Sequence, residues 1–128
     1  MHRHLQLQTE PIDEAALRAG TALPPGCGAV VVFLGVVRGR EAGREIGGLE
    51  YTAFEAMARH QFGLLFDELG RRWPVESVRL VHRLGRVAVG EASLWVEVVG
   101  PHRAEVLAAL QWLVDEMKRV VPIWKQAW

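Results

Sequence analysis

The side chains whose types and spacing could do chemistry in this sequence are mostly basic. Lys118 falls in the closing turns of a helical pattern, and Lys125 follows seven residues later within Val121-Pro122-Ile123-Trp124-Lys125. A continuous helix would hold those two amines about 10 Å apart along its axis. Pro122 forbids that continuation, because its ring fixes φ and removes a backbone donor. The chain can therefore turn back and bring both amines to one place. Arg38 leaves the end of an apolar run, Phe33-Leu34-Gly35-Val36-Val37-Arg38, while His102 and Arg103 open the last helix, where a cation opposes the helix dipole. Four basic pieces converging in this way would hold phosphate or carboxylate groups, and a lysine among like charges is suited to proton transfer. The plain alternative for each is a solvated surface charge. It fits Lys125 least, since that residue is wedged in an apolar Pro-Ile-Trp-Lys sequence.

Other candidates carry less. His82 alternates with Val78 and Leu80 and reads as a half-buried histidine with its hydrogen bonds satisfied rather than a base. His60 falls on the polar side of its helix. Cys27 is the single cysteine, so there is no internal disulfide and no zinc-type spacing, and nothing beside it in sequence would activate a thiolate. Neither a metal site nor a bound cofactor is expected. No Walker loop, GxGxxG, HExxH or serine elbow is present.

Fifteen basic and fifteen acidic residues give zero net charge, which argues against a general nucleic-acid or anionic-membrane binder. The longest apolar run, Ala29 to Val37, is far short of the roughly 20 residues of a membrane span, and the N-terminus lacks a signal-peptide core. A cytoplasmic protein folded as one domain over residues 1–128 is the expectation.

The elements that must position these groups follow from periodicity. Leu5 and Leu7 alternate with polar residues in a short opening strand, and Asp13 caps a short helix to about Arg18. The β-branched run Ala29 to Val37 reads as a strand buried on both faces, hence central in its sheet. Arg38 to Gly48, with four glycines and three arginines, reads as a mobile basic loop. A strand over Leu49 to Ala53 is followed by a helix with the stripe Ala58, Phe62, Leu65, Phe66, Leu69 and Trp73, stopped by Pro74. Val78 to Arg83 and Ala92 to Val99 are further strands joined through a glycine-bounded segment, Gly85 to Gly90. A last helix opens after Pro101 with the stripe Val106, Leu110, Leu113, Val114, Met117 and Val121, and Ile123 to Gln126 adds a final short strand. The sum is an α+β domain, two long helices packed on a mixed or antiparallel sheet. Leu49 to Phe54 and the alternating Leu94, Val96 and Val98 offer more apolar surface than two helices of this length easily cover.

In order and spacing, a set of short motifs resembles one family over nearly the whole chain. They are Gly28-Ala29 leading to Phe33-x-Gly35-x-Val37-Arg38, Leu49-Glu50-Tyr51 with Met57-Ala58, His82-Arg83-x-Gly85, Val89-Gly90-Glu91, His102-Arg103, and Lys118 with Val121-Pro122-Ile123-Trp124-Lys125. The chain resembles the large, catalytic subunits of molybdopterin synthase, with their hammerhead-like fold. That resemblance implies a homodimer with a small ubiquitin-like sulfur carrier at each end, whose C-terminal Gly-Gly thiocarboxylate enters a pocket and delivers sulfur to cyclic pyranopterin monophosphate. Two transfers, with opening of the cyclic phosphate, would build the dithiolene of molybdopterin for the molybdenum cofactor. It also implies Lys118 and Lys125 as catalytic residues, with Lys118 nearest the thiocarboxylate. Arg38, His102 and Arg103 would be anion-binding positions and Phe33 a pocket wall. Many relatives continue past the Trp-Lys segment with a basic tail; either its arginine is dispensable here or another residue, such as Arg40 or Arg44, replaces it.

The reading of another class is a noncatalytic anion- or RNA-binding module, for which retention on immobilised RNA or heparin is the discriminating observation. Tyr51 and Trp95 are the strand aromatics available for base stacking, and no RNP-like run accompanies them. Because the resemblance brings sulfur in on the partner's C-terminus, Cys27→Ser should keep most of the sulfur-transfer activity. A persulfide on Cys27 that is consumed during turnover, detected by mass spectrometry, would contradict this.

Overall fold

A computed structural model describes residues 1–128 in the order β1 (His2–Gln8), α1 (Glu14–Ala19), β2 (Ala29–Val36), β3 (Arg40–Glu41), β4 (Arg44–Glu45), β5 (Gly48–Ala53), α2 (Glu55–Arg72), β6 (Ser77–Arg83), β7 (Gly85–Ala88), β8 (Ala92–Gly100), α3 (Arg103–Val120) and β9 (Ile123–Ala127). The two long helices form where the apolar period puts them. α2 buries Ala58, Phe62, Leu65, Phe66 and Leu69; α3 buries Val106, Ala109, Leu110, Leu113, Val114 and Met117. Both stripes lie on the inner face of a sheet ordered β1-β6-β8-β2, in which β1 runs parallel to β6 and the other pairs are antiparallel. Leu7, Val78, Leu80, Leu94, Val96 and Val98 face them from the strands. Each such side chain contributes about 1.5–3 kcal/mol on burial, whereas the exposed helix ion pairs contribute about 0–1 kcal/mol each. The core, not the surface charge, fixes the helices. This is the expected α+β mixed-sheet architecture. No helix is long and apolar enough to cross a membrane.

Three expectations are corrected. β2 is an edge strand, bonded on one side only to β8, and Val32 and Val36 on its outer face are exposed. Apolar residues on both faces of a strand do not require that protein cover both; here the two long helices cover one face only. Leu94, Val96 and Val98 are all buried beneath the helices, so that strand leaves no apolar surface uncovered; exposed apolar groups lie instead on β2 and at Phe54, just after β5. The Arg38–Gly48 segment is not an irregular loop, because β3 and β4 pair as a hairpin across Ala42 and Gly43, whose φ values of 51° and 78° suit a primed two-residue turn.

Nor do all strands share one sheet. β7, β5 and β9 form a second sheet, ordered β7-β5-β9 and antiparallel, around the small cluster Val37, Leu49 and Val87. At Gly48 a Cβ would collide with the Trp128 ring and the Val87 carbonyl, so only glycine lets the chain's last residue lie flat on this sheet.

On the outer face of the large sheet, Arg79 and Glu97 form a buried ion pair with two hydrogen bonds, 2.7 and 3.0 Å. Thr21 donates to the same carboxylate at 2.6 Å, and Arg79 also donates to the Leu17 carbonyl at 2.7 Å. The network thus fastens α1, whose first turn is capped by Asp13, to the sheet. Burial pushes the Glu97 carboxyl up, but the hydrogen bonds from Arg79 and Thr21 outweigh it and hold the group below its ordinary 4.5. A depressed folded-state pKa gives stability that is present above the unfolded value and lost as pH falls through the folded one. The stability difference between the protein and Glu97→Gln should therefore be flat above about pH 5 and shrink below 4.5. Arg79→Met, which strands a buried carboxylate, should cost about 3 kcal/mol in denaturant unfolding at neutral pH.

Candidate active site

At one end of the core, where the large sheet gives way to the small one, lies a pocket of about 560 Å³. Its walls come from β2 and the residues after it (Phe33 to Arg38), from β5 (Leu49, Tyr51), from β6 and β8 (His82, Ser93, Leu94), from the end of α3 (Met117, Lys118) and from β9 (Ile123, Lys125). Each cation arrives for a local reason. Met117 belongs to the buried stripe of α3, so its neighbour Lys118 emerges at the rim. Val121 leaves the helix at φ −80° and ψ 128°, as a residue before proline must, and the chain reverses into β9. There Lys125 stands opposite Tyr51, and Ile123 opposite Ala53. Arg38 follows Val37, which is anchored in the small cluster.

Arg38, Lys118, Lys125 and Phe33, taken from distant parts of the sequence, thus line one cavity. Three cations face a single carboxylate, Glu41, which reaches in from β3 and pairs with Lys125 at 3.4 Å. Arg38 and Lys118 are in no ion pair, so positive charge is left free for an anion. The inner wall differs in kind. His82 is buried, donates from Nδ1 to the Arg83 carbonyl at 2.7 Å, and meets the Tyr51 ring edge-on at 5.1 Å. Burial lowers its pKa below 6.5, against the smaller raising effect of that hydrogen bond, and keeps the ring neutral at neutral pH.

His102 and Arg103 are not brought here. They cap and open α3, at the end opposite Lys118, about 22 Å away along the helix axis. Grouping them with the lysines in one chain is therefore overturned by the length of the helix. Arg40 and Arg44 also stay outside the pocket; Arg40 donates to the Gly43 carbonyl within its own hairpin. Cys27 is half-buried away from the site, and His60 is exposed on α2.

With this geometry in place, relatives give the family. The family model described as "MoaE protein" matches residues 7–120. The chain belongs to the MoaE family. The "molybdopterin synthase catalytic subunit" of Staphylococcus carnosus is 38% identical over 124 residues, covering 97% of this chain and 82% of that protein. Molybdopterin synthase from Staphylococcus aureus superposes with a TM-score of 0.87 at 32% identity, over 96% of this chain and 89% of that one. A complex of subunits 1 and 2 of the molybdopterin-converting factor from Helicobacter pylori has a chain that superposes at 0.77 with 26% identity, over 96% of this chain and 83% of that one. Other relatives are longer: the chain spans 33% of the Drosophila willistoni protein and 64% of the Culex quinquefasciatus one.

Beside the residues expected from sequence, this MoaE pocket uses Glu41, Tyr51 and His82. For His82 the sequence signal is partial, since alternation with Val78 and Leu80 shows a buried face without showing that the face ends at a cavity. For Glu41 there was none, because its reach depends on the hairpin turn. One signal lay in plain composition: Lys118 and Lys125 are the only lysines, and the other thirteen basic residues are arginines. If Glu41 competes with anions for Lys125, Glu41→Gln should tighten pyrophosphate binding up to about fivefold at low salt, the worth of one partly exposed pair. Titration calorimetry on the two proteins measures it, and equal affinities would show that Glu41 does not compete.

Proposed function

We propose that this chain is the catalytic subunit of a cytoplasmic molybdopterin synthase, transferring sulfur from the thiocarboxylate tail of a small ubiquitin-like carrier to cyclic pyranopterin monophosphate. The observation that carries this reading is the placement of the only two lysines, in a sequence otherwise given to arginine, at one aromatic-backed pocket. Arginine would supply the same positive charge with firmer, two-pronged anion contacts. What it cannot do is give up a proton, and lysine can. Two lysines held where an arginine would bind better indicate proton transfer as well as anion binding. Arg38 and Lys118 attract the phosphate and the anionic sulfur donor, Lys118 and Lys125 exchange protons with the reacting groups, and Phe33 walls the ring.

The reading extends to a homodimer. β2 offers a free edge and an outer face with Val32 and Val36 exposed. Pairing two copies of this strand antiparallel about a two-fold axis would set the start of one beside the end of the other. Pro101, which accepts a hydrogen bond from Gly28 just before β2, would carry His102 and Arg103 along with it. An eight-residue strand spans about 23 Å, close to the distance separating these residues from Lys118 in one chain. The partner subunit's copies would then complete the anion site.

Sulfur transfer with the thiocarboxylated carrier tests both parts. Lys118→Arg and Lys125→Arg, like the alanine variants, should lose at least about 100-fold in kcat while still binding pyrophosphate. Arginine variants of near-normal turnover would refute the proton-transfer roles. Mixing inactive Lys118→Ala and Arg103→Ala dimers should restore about a quarter of the sites if Arg103 acts across the two-fold, and none if it acts within one chain.

A further inference from the structure

The imidazole of His82 has one nitrogen with an assigned task and one without. The partner of Nδ1 is a backbone carbonyl, which can only accept, so the proton sits on Nδ1 and the lone pair on Nε2. No protein donor reaches Nε2, yet it is not among the side-chain atoms sealed from solvent without a partner. Since His82 is buried and lines the pocket, the opening beside Nε2 is the pocket interior. The ring is also held in place. Its strand is flanked by β1 and β8, with Leu7 and Leu94 beside it, and Tyr51 meets it at an interplanar angle of 76°. An unpaired acceptor with a preset direction, in a cavity lined largely by apolar groups and rimmed by cations, is a binding atom awaiting a donor.

We propose that His82 is a substrate-contacting residue whose Nε2 accepts a hydrogen bond from a ring N–H of the heterocycle occupying the inner half of the pocket. This rests on the reading of the pocket as a pterin site and adds to it the group that reads the ring rather than the phosphate. The other acceptors are less suited: Glu41 is held by Lys125 at the rim, and the Ser93 hydroxyl points to the Gly35 carbonyl at 3.4 Å. A neutral imidazole also avoids adding a fourth positive charge beside Arg38, Lys118 and Lys125. The pocket is thereby divided. Its rim selects for an anion, and its floor selects for a flat donor.

Three variants test this. His82→Phe keeps a ring but no acceptor, His82→Asn keeps a side-chain N–H that can serve the Arg83 carbonyl while losing the Nε2 lone pair, and His82→Gln carries an amide oxygen toward the Nε2 position. The Phe and Asn variants should bind cyclic pyranopterin monophosphate roughly tenfold more weakly and raise KM far more than they lower kcat. The Gln variant should recover most of the affinity. Inorganic pyrophosphate, which needs only the cations, should bind all three as it binds the parent protein, and this marks each variant as folded. Unchanged substrate affinity in the Phe and Asn variants, or a Gln variant as weak as Phe, would overturn the proposal. Failure of the parent protein to bind or convert the substrate would instead refute the functional reading beneath it.

Discussion

Pro122 cannot donate a backbone hydrogen bond and keeps Val121 out of the helical region, so α3 must end within one residue of Val120. Much of the site depends on that stop. Were the helix two turns longer, Lys125 would lie on it, about 10 Å beyond Lys118 along the axis. Instead the Phe54 amide donates to the Pro122 carbonyl, tying the start of α2 to the point of reversal, and β9 runs back along β5 in a fixed register. That register decides which face each residue takes. Ile123 and Lys125 share the side of Tyr51 and Ala53, while Trp124 goes to the other. A slip of one residue would turn Lys125 away from the pocket and put Trp124 or Gln126 in its place.

A chain with no net charge can still concentrate positive potential, and the distribution of partners shows how. Many arginines are neutralised close by. Arg71 and Arg72 share Glu68, Arg119 holds Glu116, and Arg79 is matched by Glu97. These pairs remove basic groups from the long-range field without adding much stability, since most are exposed. Arg38 and Lys118 lack such partners, and Lys125 has one at 3.4 Å that an incoming anion can replace. At the pocket three cations therefore face one carboxylate, and low-dielectric walls concentrate their field.

How much of this was legible in the sequence follows from the range of each signal. The helices were, because the stripe from Ala58 to Leu69 and the one from Val106 to Met117 record burial in local spacing. So were the cap at Asp13 and the stop at Pro122, which act within a few residues. The place of β2 was not. Ala29 to Val36 shows apolar residues on both faces, and spacing cannot say whether the second face meets protein of the same chain or is left open, as Val32 and Val36 are. The division into two sheets was hidden likewise, since pairing of β5 with β7 and β9 joins segments far apart in sequence. His102 and Arg103 share basic character with Lys118 but sit at the other end of one helix, a separation that residue count shows and charge does not. The family motifs named the candidate residues while leaving open which of them share a cavity within one chain.

The cavity itself follows from the way the sheets meet. β2 leaves the large sheet through a bulge between Gly35 and Val36, and Val37 already packs in the cluster of the small sheet. A side chain at Gly35 would press on Leu94 and the Phe33 ring, so the strand stays bare there. The helices cannot fill the resulting gap, because α3 stops at its edge and α2 packs on the side of α3 and β1, away from β2. Strand residues that would elsewhere face a helix, His82 and Tyr51 among them, face a void instead. Only groups able to tolerate that position are stable in it, which favours a neutral imidazole with one satisfied nitrogen over a charged side chain. The same stop of α3 that opens the gap places Lys118 at its rim. The apolar-floored, cation-rimmed character of the site is therefore a consequence of helix length and sheet geometry, and its chemistry is set by the few residues that the gap exposes.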